Sequence, residues 1–274
     1  MIDRQQATSV GAAKLSTESA GVGPPIVFFH AAIADRRMWR HQFDALSLSY
    51  HTIAFDRRGF GESLDVDEAY SQTVDLFAVI DQLVGCDKPV ILVGCSQGGS
   101  IAIDAAIASP DRVAALVLIS PSISGAPVPT PHTAVRRLLE EIDIASQSDD
   151  VLQVNRLKAR LFLDGALADE DRVKGPARQL FLTMNAVALA AQGHGRVIQP
   201  APAWGRLNQI AMRVHILCGD LDIPHIQERC RQLVAALANA RLEMLPGVAH
   251  LPSLEQPENL TLRLSKLLAE LKYT

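Results

Sequence analysis

Short, continuous runs of apolar residues recur along the chain at Ile26–Phe29, Thr52–Phe55, Val90–Val93, Ala114–Ile119 and Val214–Cys218. Each is too short for a helix and none alternates with polar residues, a pattern that predicts strands buried on both faces. Segments of helical period lie between them, at Val74–Val84, Gln97–Ser109, Ile226–Ala238 and Leu260–Leu271. Ile226, Cys230, Leu233, Val234 and Leu237 fall on one helical face, and Leu260, Leu264, Leu267, Leu268 and Leu271 repeat that spacing. Strands that alternate with helices in this way predict βαβ crossovers and an α/β fold with a doubly wound, mostly parallel sheet. Ligands of such sheets bind outside the C-terminal ends of the strands.

The alternation stops near Pro121 and resumes after Arg206. Pro121, Pro127, Pro129 and Pro131 open this interval and Pro200 and Pro202 close it, marking two connectors. Inside it, amphipathic patterns at Val135–Ile144, Val151–Leu163 and Leu180–Ala191 predict helices without a clear strand. The expected organisation is therefore one α/β core, residues 1–120 and 207–274, interrupted by a helical cap at 121–206.

Composition narrows the partners. With 26 Lys and Arg against 30 Asp and Glu, the net charge is -4, and no basic run offsets it. Nucleic acid and anionic membrane both demand a basic excess, so neither is an expected partner. No run of eighteen apolar residues occurs and residues 1–20 hold no signal-peptide core, which predicts a cytoplasmic protein. Aromatic residues make up only 5% of the chain, leaving Ala, Leu, Val and Ile to fill the core. Cys86, Cys95, Cys218 and Cys230 lack C-x-x-C spacing and read as reduced thiols. His41, His51, His132, His194 and His215 show no ligand spacing with one another or with the cysteines, so no metal and no cofactor is expected. Nothing in the sequence sets an oligomeric state.

The chemistry concentrates after the strand at Val90–Val93, where Gly94-Cys95-Ser96-Gln97-Gly98-Gly99 leads directly into a helical segment. The bare pattern G-x-S-x-G arises by chance in roughly one chain of this length in ten, but a strand before it and a helix after it make it specific. A sharp strand-to-helix turn would hold Ser96 in strained backbone geometry, and side chains at Gly94 and Gly98 would collide with neighbouring chain. Ser96 would stand at a helix N-terminus, whose dipole favours developing negative charge. Cys95 beside it reads as a packed small hydrophobe.

A serine hydroxyl needs a base to take its proton and a third group to orient that base. Of the eight histidines, His250 follows the short strand Arg241–Leu245 and precedes the last helix, a loop placement that suits the base. Asp222, in Gly219-Asp220-Leu221-Asp222-Ile223-Pro224, lies directly after the strand ending at Cys218 and suits the acid, with Asp220 as its competitor.

The order Ser96, Asp222, His250 is that of α/β hydrolases, and the chain resembles that superfamily. Within it the chain is similar to small bacterial enol-lactonases, esterases and cofactor-free haloperoxidases. The resemblance covers most of the chain outside the 121–206 interval. Asp56-Arg57-Arg58-Gly59-Phe60-Gly61-Glu62-Ser63 is similar to the family's D-x-R-G-x-G-x-S turn, and His250-Leu251-Pro252-Ser253-Leu254-Glu255-Gln256-Pro257 to its G-H-x-x-x-x-E-x-P ending. Ala249 stands where the family usually has Gly, and the H-G-x oxyanion loop appears as His30-Ala31-Ala32. The resemblance implies an eight-stranded sheet. It places the acid three residues after Gly219, favouring Asp222 over Asp220, and the oxyanion donors at the Ala32 and Gln97 N–H groups. His30 is then expected to shape the oxyanion loop, His225 to be solvated or structural, and Arg57 and Arg58 to fix the turn after their strand.

The expected activity is that of a serine hydrolase acting on a small carboxylic ester or lactone through an acyl-enzyme. The same three residues also suit carbon–carbon bond hydrolysis or cofactor-free perhydrolysis. A ligand-binding receptor with residual hydrolytic activity is the reading from another class. Ala31, Trp39, Leu161, Phe162, Phe181, Met184 and Leu251 are the expected pocket residues, although helical packing explains the spacing of the apolar residues in 121–206 equally well.

Overall fold

The computed structural model describes residues 5–271 except 192 and 194, so His194 lies outside the described residues. Eight strands form the main sheet: β1 (Gln6–Val10), β2 (Ala13–Ala20), β3 (Pro25–Phe29), β4 (His51–Phe55), β5 (Val90–Cys95), β6 (Val113–Ile119), β7 (Arg213–Gly219) and β8 (Ala240–Leu245). Their spatial order is β1-β2-β4-β3-β5-β6-β7-β8. The pairs β1/β2 and β2/β4 are antiparallel and all others parallel.

Alternation along each strand sends neighbours to opposite faces. Ile26 and Phe28 of β3 pack on one face with Trp39, Phe43, Leu260, Leu264 and Leu268. Val27 and Phe29 pack on the other with Leu76, Val79, Ile101 and Leu233. The first face is thus covered by α1 (Arg40–Leu46) and by α9 (Pro257–Leu271), which follows the single turn α8 (Pro252–Glu255), and the second by α2 (Gln72–Leu83), α3 (Gln97–Ala108) and α7 (Pro224–Ala236). Both faces of the parallel strands β3 to β7 are dry, which is why these strands show as unbroken apolar runs, whereas the edge strand β8 is only partly buried.

The β1–β2 hairpin has no such run and no strand is predicted there. Its residues alternate: in β2, Ala13, Leu15 and Thr17 are buried while Lys14 is exposed, as suits an antiparallel edge with one wetted face.

Between β6 and β7 the chain is helical: α4 (Thr133–Gln147), α5 (Val151–Lys158), a π-helical turn Ala159–Gly165 that continues α5, and α6 (Gly175–Ala190). A two-residue strand, Arg196–Val197, follows and pairs with Ala69–Tyr70 outside the main sheet. This segment has its own cluster of Val135, Ile142, Val154, Leu157 and Leu161, into which Ile223 inserts. The contact matters because Ile223 adjoins Asp222. Among the described residues no helix is long and apolar enough to cross a membrane.

Candidate active site

Ser96 occupies the junction of β5 and α3 with φ 54° and ψ -116°, a left-handed backbone rarely adopted by a residue with a side chain. Close packing enforces the turn. A Cβ on Gly94 would lie 2.5 Å from the Gly98 carbonyl oxygen, and one on Gly98 would lie 2.6 Å from that of Phe29. The Ser96 N–H donates to the Ile119 carbonyl at 2.9 Å, and the Ser96 carbonyl accepts from the N–H groups of Ser100 and Ser122 at 3.2 and 3.1 Å. The strain is thus held by hydrogen bonds to β6 and to the loop after it.

His250 lies in the loop after β8 and is 1% exposed. Its Nδ1 is 3.0 Å from both carboxylate oxygens of Asp222, which is itself 3% exposed and also accepts the Ile223 N–H at 2.7 Å. In the neutral imidazole the Nδ1 hydrogen therefore points at Asp222, leaving Nε2 as the acceptor. Nε2 is buried and, among the described residues, has no hydrogen-bond partner. Asp220 diverges from this pair, its carboxylate accepting the Gly247 N–H at 2.7 Å and so pinning the start of the His250 loop. The Cys95 thiol donates to the His250 carbonyl at 3.6 Å, which brings this loop against the strand end that carries Ser96.

On the other side of the turn, Gln97 is the first residue of α3, where an amide has no intrahelical acceptor. Ala32 lies exposed in the loop after β3, and Ala31 beside it is buried with its N–H 3.5 Å from the Met38 sulfur. Beneath both is Arg57. Its Nη1 donates to the Gln97 side-chain oxygen at 2.7 Å and its Nη2 to the Ala31 carbonyl at 3.3 Å, while its plane stacks on Phe60. Burial lowers the Arg57 pKa to about 10, still leaving it a cation at neutral pH. Among the described residues it makes no ion pair, and its Nε has no partner. His30 Nε2 accepts the Arg57 backbone N–H at 3.1 Å, so its Nδ1 carries the hydrogen and donates to the Ala31 carbonyl at 2.8 Å. Burial, then the charge of Arg57, push the His30 pKa well below its ordinary value, and the ring is neutral. The adjacent Arg58 turns away to Asp75 and Glu68 and stacks on Tyr70. Of the two arginines expected to fix the turn, Arg57 thus also bridges the halves of the candidate oxyanion site.

Among the expected pocket residues, Phe162 meets the candidate base directly. Its ring centroid is 5.2 Å from that of His250, and its carbonyl accepts the His250 N–H at 3.1 Å. Ala31, Trp39, Phe181, Met184 and Leu251 are buried together in the cluster on the α1/α9 face. Trp39 packs on Phe28 at 5.3 Å between ring centroids. Leu161 turns into the cluster of the helical segment itself.

Two residues without a role in the sequence-based expectation complete the surroundings of His250. The buried Glu255 carboxylate accepts the N–H groups of Ala249 and Leu251, on either side of His250, at 2.7 and 2.8 Å. Its partner is Arg172, from the helical segment. Glu255 at least lies in the His250–Pro257 ending motif; Arg172 carries no sequence signal.

The model of the alpha/beta hydrolase family matches residues 26–261. A pimeloyl-[acyl-carrier protein] methyl ester esterase of Nitrosomonas europaea is 25% identical over 253 residues, covering 90% of this chain and 96% of its own. An esterase of Rhodococcus sp. ECU1013 superposes with TM-score 0.78 at 23% identity, covering 99% of this chain and 100% of that one. The enol-lactonase of Burkholderia xenovorans LB400 superposes with TM-score 0.74 at 20% identity, covering 96% and 100% respectively.

Proposed function

Because the chain belongs to the alpha/beta hydrolase family, we propose that it is a serine hydrolase that cleaves a small carboxylic ester or lactone through an acyl-enzyme. The observation that carries this reading is the buried, unpartnered Nε2 of His250 whose other nitrogen is fixed on Asp222. A base with its proton-accepting atom free and its tautomer set is what a serine nucleophile requires.

In this reading Ser96 Oγ attacks the substrate carbonyl and its proton passes to His250 Nε2. Asp222 orients the imidazole and stabilises the imidazolium. The N–H groups of Ala32 and Gln97 hold the oxyanion, and Arg57 keeps both halves of that site in register. Collapse of the tetrahedral species breaks the ester C–O bond, and the imidazolium proton goes to the departing alkoxide. In a lactone that alcohol remains attached to the acyl group. Water then gives a proton to His250 and its oxygen to the acyl carbon, and the second collapse returns the proton to Ser96. The helical segment at 121–206 serves as the cap that excludes bulk water and selects the acyl group. A cytoplasmic setting suits its four free cysteines.

Ser96→Ala is expected to abolish turnover of p-nitrophenyl acetate and butyrate, whereas near wild-type activity in that variant sinks the reading. A panel of acyl chain lengths and lactone ring sizes, run with and without hydrogen peroxide and halide, assigns the substrate class.

A further inference from the structure

The catalytic base of this chain is held from outside the core. Three contacts reach its loop from the helical segment. The His250 N–H donates to the Phe162 carbonyl at 3.1 Å, in the middle of the π-helical turn. The Phe162 ring lies against the imidazole. The third contact is Arg172. Its Nε donates to the Asp164 carbonyl at 2.8 Å and its Nη2 to the Leu163 carbonyl at 2.9 Å, both at the end of the π-helical turn. Its Nη1 reaches the Gly247 carbonyl at 3.1 Å, and Nη2 also pairs with Glu255.

One guanidinium therefore fastens three pieces of chain: the helical segment, the turn that opens the base loop, and the carboxylate that clasps both amides flanking His250. The geometry needs the planar fork of arginine, because a lysine ammonium is a single point on a flexible stem. The anchor end is equally fixed. Asp164 is fully buried and accepts the N–H groups of Asp171 and Val173, at 3.1 and 3.2 Å, and the guanidinium of Arg178 at 2.9 Å.

We infer that Arg172 is a positioning residue for the base His250, acting through Glu255, so that the helical cap and the base form one mechanical unit. The inference rests on the serine-hydrolase reading for what His250 does. A free lid would leave the base in place when it opened. Here, displacing the cap releases the Phe162 carbonyl and the Arg172 fork together, and the His250 loop loses the contacts that hold the imidazole from that side. Chemistry is thereby confined to the closed state.

Glu255 supplies a readout that a purely structural contact lacks. Burial pushes its carboxyl up to about 7, and the bonds from Ala249, Arg172 and Leu251 oppose that rise. The charged and titratable groups facing it are Arg172 from the cap and the Cys95 thiol from β5, with the Asp222–His250 pair in the same site. Losing Arg172 removes one of the influences that hold the Glu255 pKa down, so protonation, and loss of one of the two acceptor oxygens, sets in at higher pH.

The test compares wild type, Ser96→Ala, Arg172→Met, Arg172→Lys, Glu255→Gln and the double variant R172M/E255Q. Readouts are kcat and KM on p-nitrophenyl butyrate and the rate at which a fluorophosphonate probe labels Ser96, each followed across pH. Arg172→Met is expected to lower kcat and labelling together by about tenfold or more, as a misplaced catalytic group does, with KM within about twofold. Its acid limb moves to higher pH. Arg172→Lys recovers only part of the rate, and the double variant is no slower than Glu255→Gln, because both changes cut the same chain of contacts. Wild-type kcat and labelling in Arg172→Met, or additive losses in the double variant, overturn the positioning role; where Arg172→Met does not fold, a wild-type rate in Arg172→Lys overturns it. Labelling that persists in Ser96→Ala overturns the reading of Ser96, and the role of Arg172 with it.

Discussion

The two sides of the candidate active site are built on different plans. The Ser96 turn is set by backbone packing in the core: Gly94 and Gly98 let strand, turn and helix pack directly on one another and on the end of β3, and backbone hydrogen bonds to β6 and the loop after it hold the strained residue. The His250 loop is assembled from a distance. Asp220 and Asp222 come from the end of β7, Glu255 from the residues after the loop, and Arg172 and Phe162 from the helical segment between β6 and β7. A candidate nucleophile whose geometry is set by backbone packing keeps its conformation as long as the core is folded. A candidate base set by side chains from several elements has a position that depends on how those elements are arranged, which is what the proposed role of Arg172 exploits.

This contrast predicts that damage to the loop shows in rate and damage to the turn in stability. The largest effect is expected from Asp222→Asn. The amide presents a donor to Nδ1, favours the wrong imidazole tautomer and should lower kcat by roughly 10⁴-fold at unchanged unfolding midpoint. A smaller loss than about a hundredfold at neutral pH would mean that Asp222 does not orient the base. Next in size, Gly98→Ala forces a methyl against the Phe29 and His30 carbonyls, at 2.6 and 2.8 Å before relaxation. It should cost about 1–3 kcal/mol in urea unfolding, together with activity, as overpacking does. A variant as stable as wild type would show that the turn yields more readily than its contacts suggest. The smallest of the three is Arg57→Met, which removes the cation bridging Gln97 and Ala31. A loss of about tenfold in kcat/KM, with fluorophosphonate labelling reduced in parallel, is the expected result of loosening an oxyanion site. Unchanged labelling would confine Arg57 to the stability of its turn.

Much of the fold was legible because parallel strands buried on both faces announce themselves as unbroken apolar runs. Strands β3 to β7 coincide with those runs, and the short strand expected at Arg241–Leu245 lies within β8. The β1–β2 hairpin was hidden because its one wetted face breaks the run with Lys14 and Ser16. The helix expected over Val151–Leu163 is α-helical only to Lys158 and continues as a π-helical turn, within which the Phe162 carbonyl accepts the His250 N–H. That contact joins the turn to a loop nearly ninety residues away in the chain, which periodicity cannot register. For the site, Ser96 was legible from two glycines in the right local context. His250 and Asp222 were legible from their strand-end positions, and the hydrogen bonds between them separate Asp222 from Asp220.

The sequence by itself determined the layer architecture and the chemistry on offer, because hydrophobic period and the glycine spacing around Ser96 are patterns written between near neighbours in the chain. Only the tertiary structure decided which groups restrain that chemistry. Arg172 carries no sequence signal, and Arg57 and Glu255 stand in the sequence only as motif positions; what each restrains comes from burial and from what it faces. An isolated cation or carboxylate is costly in a dry interior, so each position is fixed by the partners that folding brings to it. The partners that join one element to another, Arg172 to Glu255 and Gly247 and Arg57 to Gln97 and Ala31, are far apart in the chain, and no local pattern can encode them.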